Sequence, residues 1–169
     1  IPVEVPTGAI RYNTDSNKME CWIGTKWMEI SVSSPDLDGG ARATFSGGQT
    51  PSSNYNIIDY ITISTAGNAQ DFGDLNTSPL GARAAADRTR GIIAGGYTPS
   101  VINTIEFITI SSTGNAQDFG DLPSIQSYSG ALNNGTRAVF GGTFVPGGFQ
   151  NIIQFVTIQS TGSADDFGD

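Results

Sequence analysis

The nine residues GNAQDFGDL fill positions 67–75 and return letter for letter at 114–122, and a looser copy, GSADDFGD, occupies 162–169. A chain of 169 residues that spells one segment twice, 47 positions apart, is built from repeats. Two further anchors keep the same rhythm. The glycine pairs Gly47-Gly48, Gly95-Gly96 and Gly141-Gly142 lie 48 and 46 residues apart, and the octets NIIDYITI (56–63), NTIEFITI (103–110) and NIIQFVTI (151–158) start 47 and 48 residues apart. A period of this length falls in the range of propeller blades and above that of most helical repeats.

Within a unit the pattern is β. The second copy reads as strands at 81–86, 90–95 and 105–110, with a short segment at 118–122. A polar turn at 87–89 joins the first two. Its counterpart in the third copy is Asn133-Asn134-Gly135-Thr136, where Asn-Gly is a strong hairpin signal. Four short antiparallel strands make one blade. The octet carries Ile58 and Tyr60, Ile105 and Phe107, or Ile153 and Phe155 on one face. Ile61 and Ile63, Ile108 and Ile110, or Val156 and Ile158 stand on the other. Two apolar faces are expected of a sheet packed between neighbouring sheets. The nonamer then serves the architecture. Gly67 and Gly114 supply turns, Asn and Asp close them locally, and Phe72, Phe119 and Phe167 plug the seam to the next sheet.

Composition agrees with an all-β class, since 22 glycines and 8 prolines accompany no sustained period near 3.6. The net charge of −8 sets a repulsive average field against phosphate backbones, which argues against nucleic acid as a partner. The lone Cys21 cannot form an internal disulfide. No apolar run approaches the ~20 residues that span a bilayer, so no membrane insertion is expected. Residues 1–10 lack the features of a secretory signal.

The double glycine ending a strand, the variable loop, the aromatic-centred strand and the second aromatic further on resemble a kelch repeat, with Phe72, Phe119 and Phe167 where that family usually has Trp. The wording TRGIIAGGY (89–97) followed by NTIEFITISSTGNAQDFGDL (103–122) resembles kelch-type repeats in structural proteins of marine and cyanobacterial tailed phages. The stretch PTGAIRYNTDSNKMECWIGTKWMEI (6–30) resembles a short β module of phage tail fibres, which in such appendages serves attachment or trimerisation. On its own residues it reads as strands at 9–12, 18–23 and 26–30 with turns at 13–17 and 24–25, too small to stand alone, so that its aromatics bury against a blade, another copy or a partner.

The expected fold is therefore all-β: a hairpin module over 1–33, then three kelch-like blades over 34–80, 81–128 and 129–169. Propellers need about 4–8 blades, so three make an incomplete one. The chain opens without Met and ends inside its third unit, which leads to the expectation of further blades beyond Asp169 in preference to closure by several chains. The third copy departs from the others in being shorter before its glycines and in carrying Thr143-Phe144-Val145.

Candidate sites are few. The DFG tripeptide lacks every other part of a kinase and is coincidence. The pairs Asp71/Asp74, Asp118/Asp121 and Asp166/Asp169 offer only two carboxylates each and read as turn residues rather than a calcium site. The chain has no histidine, so neither a Ser-His nor a Cys-His couple exists, and the copper site of the kelch-family oxidases cannot be reproduced. No catalytic residue, metal site or cofactor is expected. Asn76-Thr77-Ser78 and Asn134-Gly135-Thr136 match the glycosylation pattern by chance. Arg42, Arg90 and Arg137, just before the glycine pairs, are expected to bind blade carbonyls or carboxylates. The connections QTPSSNY, YTPSVI and TFVPGGFQ differ most between copies, and variable loops on a rigid scaffold are the usual seat of recognition. Candidate contacts to a protein or glycan are Tyr55, Tyr97, Phe144 and Phe149 there, with Trp22 and Trp27 in the module.

The resemblance implies a non-enzymatic virion protein, a fibre, spike or decoration located in the particle. Its implied partners are other virion proteins, further copies of itself (a trimer among the arrangements) and a host-surface glycan or receptor. The competing expectation is a secreted or cell-surface carbohydrate-binding propeller.

Overall fold

The computed structural model describes residues 5–30 and 42–169, and divides the chain into two compact units, Ile1–Asp36 and Leu37–Asp169. Among the described residues all regular structure is β-strand. No helix there is long and apolar enough to cross a membrane.

The first unit is a three-stranded meander of β1 (Ile10–Asn13), β2 (Lys18–Trp22) and β3 (Trp27–Glu29). Its first turn closes because the Asn13 side-chain oxygen accepts from the Asp15 and Ser16 amides, and Asn17 takes the left-handed conformation at φ 57°. Registers Ile10↔Cys21↔Met28 and Tyr12↔Met19 place these residues on one face. Arg11, Glu20, Trp22, Trp27 and Glu29 share the other.

The second unit holds three antiparallel sheets, one per repeat. The first is β4 (Arg42–Thr50), β5 (Ser53–Thr62) and β6 (Gln70–Asp74). The middle sheet runs β7 (Arg83–Ala86), β8 (Arg90–Ala94), β9 (Thr104–Thr109) and β10 (Gln117–Asp121) in chain order. The third is β11 (Gly130–Asn133), β12 (Arg137–Val145), β13 (Gly148–Thr157) and β14 (Asp165–Gly168). The first strand expected of the first repeat falls on residues outside the described ones. The β7–β8 turn is locked by the Asp87 carboxylate, which accepts from the Thr89 and Arg90 amides; Asn134 does the same for Thr136 and Arg137 in the β11–β12 turn. Each glycine pair interrupts the ladder, Gly47-Gly48 as a register shift within β4, Gly141-Gly142 as one within β12 and Gly95-Gly96 at the end of β8, with Gly47 at φ 73°, Gly95 at 66° and Gly142 at 66°.

The sheets pack face to face in chain order, through two separate cores. Ile58, Phe72 and Leu75 of the first repeat meet Ile93, Ile108 and Ala116 of the second. The opposite face of the middle sheet, with Ile92, Ile105, Phe107 and Phe119, meets Ala138, Phe140, Val156, Ile158 and Ala164 of the third. Among the described residues of this unit the middle sheet is covered on both sides by its two neighbours, and the three sheets do not close into a ring.

Two sequence expectations change here. The Asp pairs read as turn residues lie instead in strands, because the DFGD tetrapeptides fall in β6, β10 and across β14, where the short segment read at 118–122 already placed one of them. The connections QTPSSNY and TFVPGGFQ are not loops but the far ends of two long hairpins: β4 pairs with β5 out to Thr50↔Ser53, and β12 with β13 out to Val145↔Gly148. Only the middle repeat has an irregular connection there, tied down by the bridges Leu80↔Tyr97 and Tyr97↔Val101.

Candidate functional site

Three surfaces carry distinct chemistry: the seams between sheets, the far ends of the hairpins, and the two faces of the first unit.

At a seam, the nonamer works from both of its ends. The amides of Gly114 and Ala116 donate to the carbonyls of Phe72 and Asp74 at 2.7 and 2.8 Å, and the Asn115 side chain accepts from the Asp74 amide. One repeat later, Gly162 and Ala164 donate to Phe119 and Asp121, both at 2.8 Å. A Cβ on Gly73 would lie 2.5 Å from the Gly114 carbonyl group, and one on Gly120 2.5 Å from that of Gly162. The backbones therefore approach closely enough to exclude any side chain. The segment is repeated because GNA binds the preceding sheet while FGD binds the following one, so each copy must carry both halves. Phe72 and Phe119, each 2 % exposed, fill the seams beside them.

Arginine completes each seam. Arg42 Nη1 donates to the Ile110 carbonyl and Arg90 Nη1 to that of Ile158, both at 3.0 Å. The guanidinium groups lie over Tyr60 and Phe107 of their own sheets. Arg137 stacks on Phe155 in the same way, 4.6 Å from the ring centre. Buried Glu106 was not singled out by the sequence reading. It accepts from the amides of Asn76 and Thr77 and from the Thr77 hydroxyl. Gln154 fills the same octet position and accepts from the Ser124 amide. The signal was available, because Asp59, Glu106 and Gln154 are the one strongly polar site inside each octet. Asp87 binds Gln159 and Thr89 at the second seam. Burial of its carboxyl opposes ionisation, yet hydrogen bonds from Gln159, Thr89 and Arg90 outweigh it and hold the group below the ordinary aspartate range.

The connections after the glycine pairs carry four of the six aromatic candidates, three on the two long hairpins and Tyr97 on the irregular connection of the middle repeat. Tyr55 and Tyr97 are exposed, Phe144 is partly exposed and packs edge-on against Phe149 at 5.4 Å, and Phe149 is 82 % exposed. Asn54 Nδ2 reaches the Tyr97 carbonyl, so the ends of the first two repeats form one polar recess with Pro51, Ser52 and Pro99. Phe144 and Phe149 form a second, apolar knob. The structure does not bring all four aromatics together.

In the first unit Trp22 and Trp27 face each other across the strand pair at 5.4 Å, with the Arg11 guanidinium 4.2 Å over Trp27. Ion pairs Arg11–Glu20 and Lys18–Glu29 cover the same face. Hydrogen bonds from Asn13 and Arg11 hold the Glu20 carboxyl below its ordinary range. The Trp face is thus already capped. The opposite face is open and apolar, with Ile10, Tyr12, Met19, Met28 and Ile30 exposed around half-buried Cys21. The exposed apolar surface of this unit thus lies on the face opposite the two tryptophans. The alternation I-R-Y-N and K-M-E-C-W carried that information in the sequence.

Among the described residues no group of three or more His, Cys, Asp or Glu side chains could hold a metal ion. No protein-family model matches the chain, and no curated protein matches it in sequence.

Proposed function

We propose that the chain is a non-enzymatic structural protein of a virion of the tailed-phage type, in which the repeats act as kelch-like propeller blades and the N-terminal module fastens them to the particle. The carrying observation is a division of labour along each repeat. The seam chemistry of GNAQDFGDL, the arginine and the octet recurs almost unchanged, while the hairpin ends differ in length, aromatic content and shape. A scaffold that repeats its joints and varies its tips displays different contacts on a rigid frame. The first unit supports attachment: an open apolar face on a three-stranded sheet is stable when a protein surface covers it.

The test is purification of intact particles from the producing host, followed by mass spectrometry and imaging. The expected result is the chain in fixed stoichiometry with the particle at symmetry-related positions. A chain absent from particles that binds a defined glycan as a free monomer would overturn the proposal and favour the carbohydrate-binding alternative, with Tyr55, Tyr97, Phe144 and Phe149 as its contacts.

A further inference from the structure

One recess is built twice, from the same places in two repeats. In the middle repeat it is lined by eight residues between Phe107 and Gln117, where β9 ends and the chain turns back into β10. In the first repeat eight residues between Tyr60 and Gln70 line it, each 47 positions before its counterpart. The middle recess lies at the end of the sheet that carries the β7–β8 turn, where the Ile110 amide donates to the Thr89 carbonyl, and so away from the glycine pairs. None of the lining residues of either recess carries a charge. A hydroxyl group separates the two. Tyr60 pairs with Gln70 across the strands, and its hydroxyl donates to the Gln70 side-chain oxygen at 2.6 Å, bridging a recess of about 130 Å³. Phe107 pairs with Gln117 in the same register but has no hydroxyl to give, and this recess holds about 310 Å³. Small-molecule sites begin at roughly 300 Å³, which the middle recess reaches and the first does not. In the third repeat Asp165 stands opposite Phe155, so there a carboxylate replaces the neutral amide.

We propose that the middle recess is a binding site for one pyranose ring of a neutral saccharide. Its lining matches that chemistry. Phe107 gives a small apolar patch for the C–H groups of a sugar ring, while Thr109, Ser112, Thr113 and Gln117 bring hydroxyl and amide groups that both donate and accept, as sugar hydroxyls do. The wall is fixed before any ligand arrives. The Gly114 amide is bound to the Phe72 carbonyl, and the Asn115 side-chain oxygen accepts from the Asp74 amide, so the neighbouring sheet holds this loop in place. An ionised ligand is disfavoured, because no lining side chain of either sign offsets its desolvation, and the net charge of −8 repels anions further. A recess of this volume takes a single ring rather than an extended peptide. The site needs only the middle repeat and its neighbour, and does not depend on whether the chain belongs to a particle.

The test is an amide NMR titration of the full chain with methyl glucoside, methyl galactoside, methyl mannoside and N-acetylglucosamine, and with glucuronic acid and glucosamine as charged comparisons. At least one neutral sugar is expected to give saturable shifts at the Gln117 side-chain amide and the backbone amides of Thr109, Ser112 and Thr113, and the charged sugars none. Phe107→Tyr supplies the hydroxyl that bridges the first recess, under an arginine placed as Arg42 is over Tyr60, and should weaken binding by about tenfold or more because the volume left falls below that of a ligand site. Gln117→Ala, at an exposed strand position, should do the same with unchanged circular dichroism, and carries the test if Phe107→Tyr does not fold. Absence of shifts with every neutral sugar, shifts confined to the hairpin ends around Tyr55 and Phe149, tighter binding of a charged sugar, or unchanged affinity in either folded variant would each overturn the site. Association with particles is measured separately, so a failed titration removes the ligand and leaves the structural assignment standing.

Discussion

Replacing one phenylalanine of the repeated motif in turn tests whether that residue is a seam plug. Phe119 and Phe167 hold the same place in DFGD and each packs edge-on against the aromatic of its own octet, Phe107 at 6.0 Å and Phe155 at 5.8 Å. What differs is the neighbouring sheet. Phe119 is covered by the third repeat, whereas Phe167 has more than half its surface in water. Truncating a buried phenylalanine costs about 3–5 kcal/mol through lost transfer energy and the cavity left behind. A half-exposed one forfeits about 1 kcal/mol. In a unit of this size such a loss at Phe119 lowers the melting temperature by roughly 10 °C, and at Phe167 by a few degrees. The comparison is made by calorimetry and urea titration. Phe72→Ala should behave like Phe119→Ala. Equal losses for Phe119→Ala and Phe167→Ala would refute the argument, because the stabilisation would then come from within each sheet.

Three further outcomes follow from the seams. Gly73→Ala, whose new carbon lands 2.5 Å from the Gly114 backbone, should cost several times the roughly 1 kcal/mol expected of Gly114→Ala, which meets nothing; urea midpoints decide it. Arg90→Met should destabilise by about 1–2 kcal/mol through loss of the Ile158 carbonyl contact and the stacking on Phe107, while Arg137→Met, which loses only the stacking on Phe155, costs less than half as much. Asp87 is held below its ordinary pKa in the fold, so its stabilisation is present above about pH 4 and is lost as the pH falls through the folded value. Asp87→Asn should therefore lower stability by about 1 kcal/mol at pH 7, the gap to wild type closing in acid; a gap independent of pH would contradict the assignment.

The repeat, its strands and its turns were legible because they rest on local chemistry. Asn134-Gly135 marks a hairpin wherever it occurs, and the octets alternate apolar residues on both faces. The seam arginines were legible for the same reason, being placed by the strand that carries them. What stayed hidden depends on what lies across a gap in the chain. Asp71 and Asp118 look like turn residues in sequence, yet their segments are drawn into strands by pairing with β5 and β9. Gln49 and Phe149 look like loop residues, but cross-strand pairing extends their hairpins, while the middle repeat lacks the partner residues to do so. Nothing local says that Gly73 must be bare; the reason is the backbone of Gly114, 41 residues away. The alternation that puts Ile10, Tyr12, Met19 and Met28 on one exposed face was legible too, since it needs only a period of two.

The stacking of like sheets is tested most directly by hydrogen exchange at the amides of Ala116 and Ala164. Both residues lie outside any strand, and their amides donate only to Asp74 and Asp121 of the preceding sheet. Protection equal to that of the core amides of β9 is the predicted result. Exchange as fast as that of the exposed turn at Thr113 would contradict the account, because the repeats would then be separate sheets without a common seam.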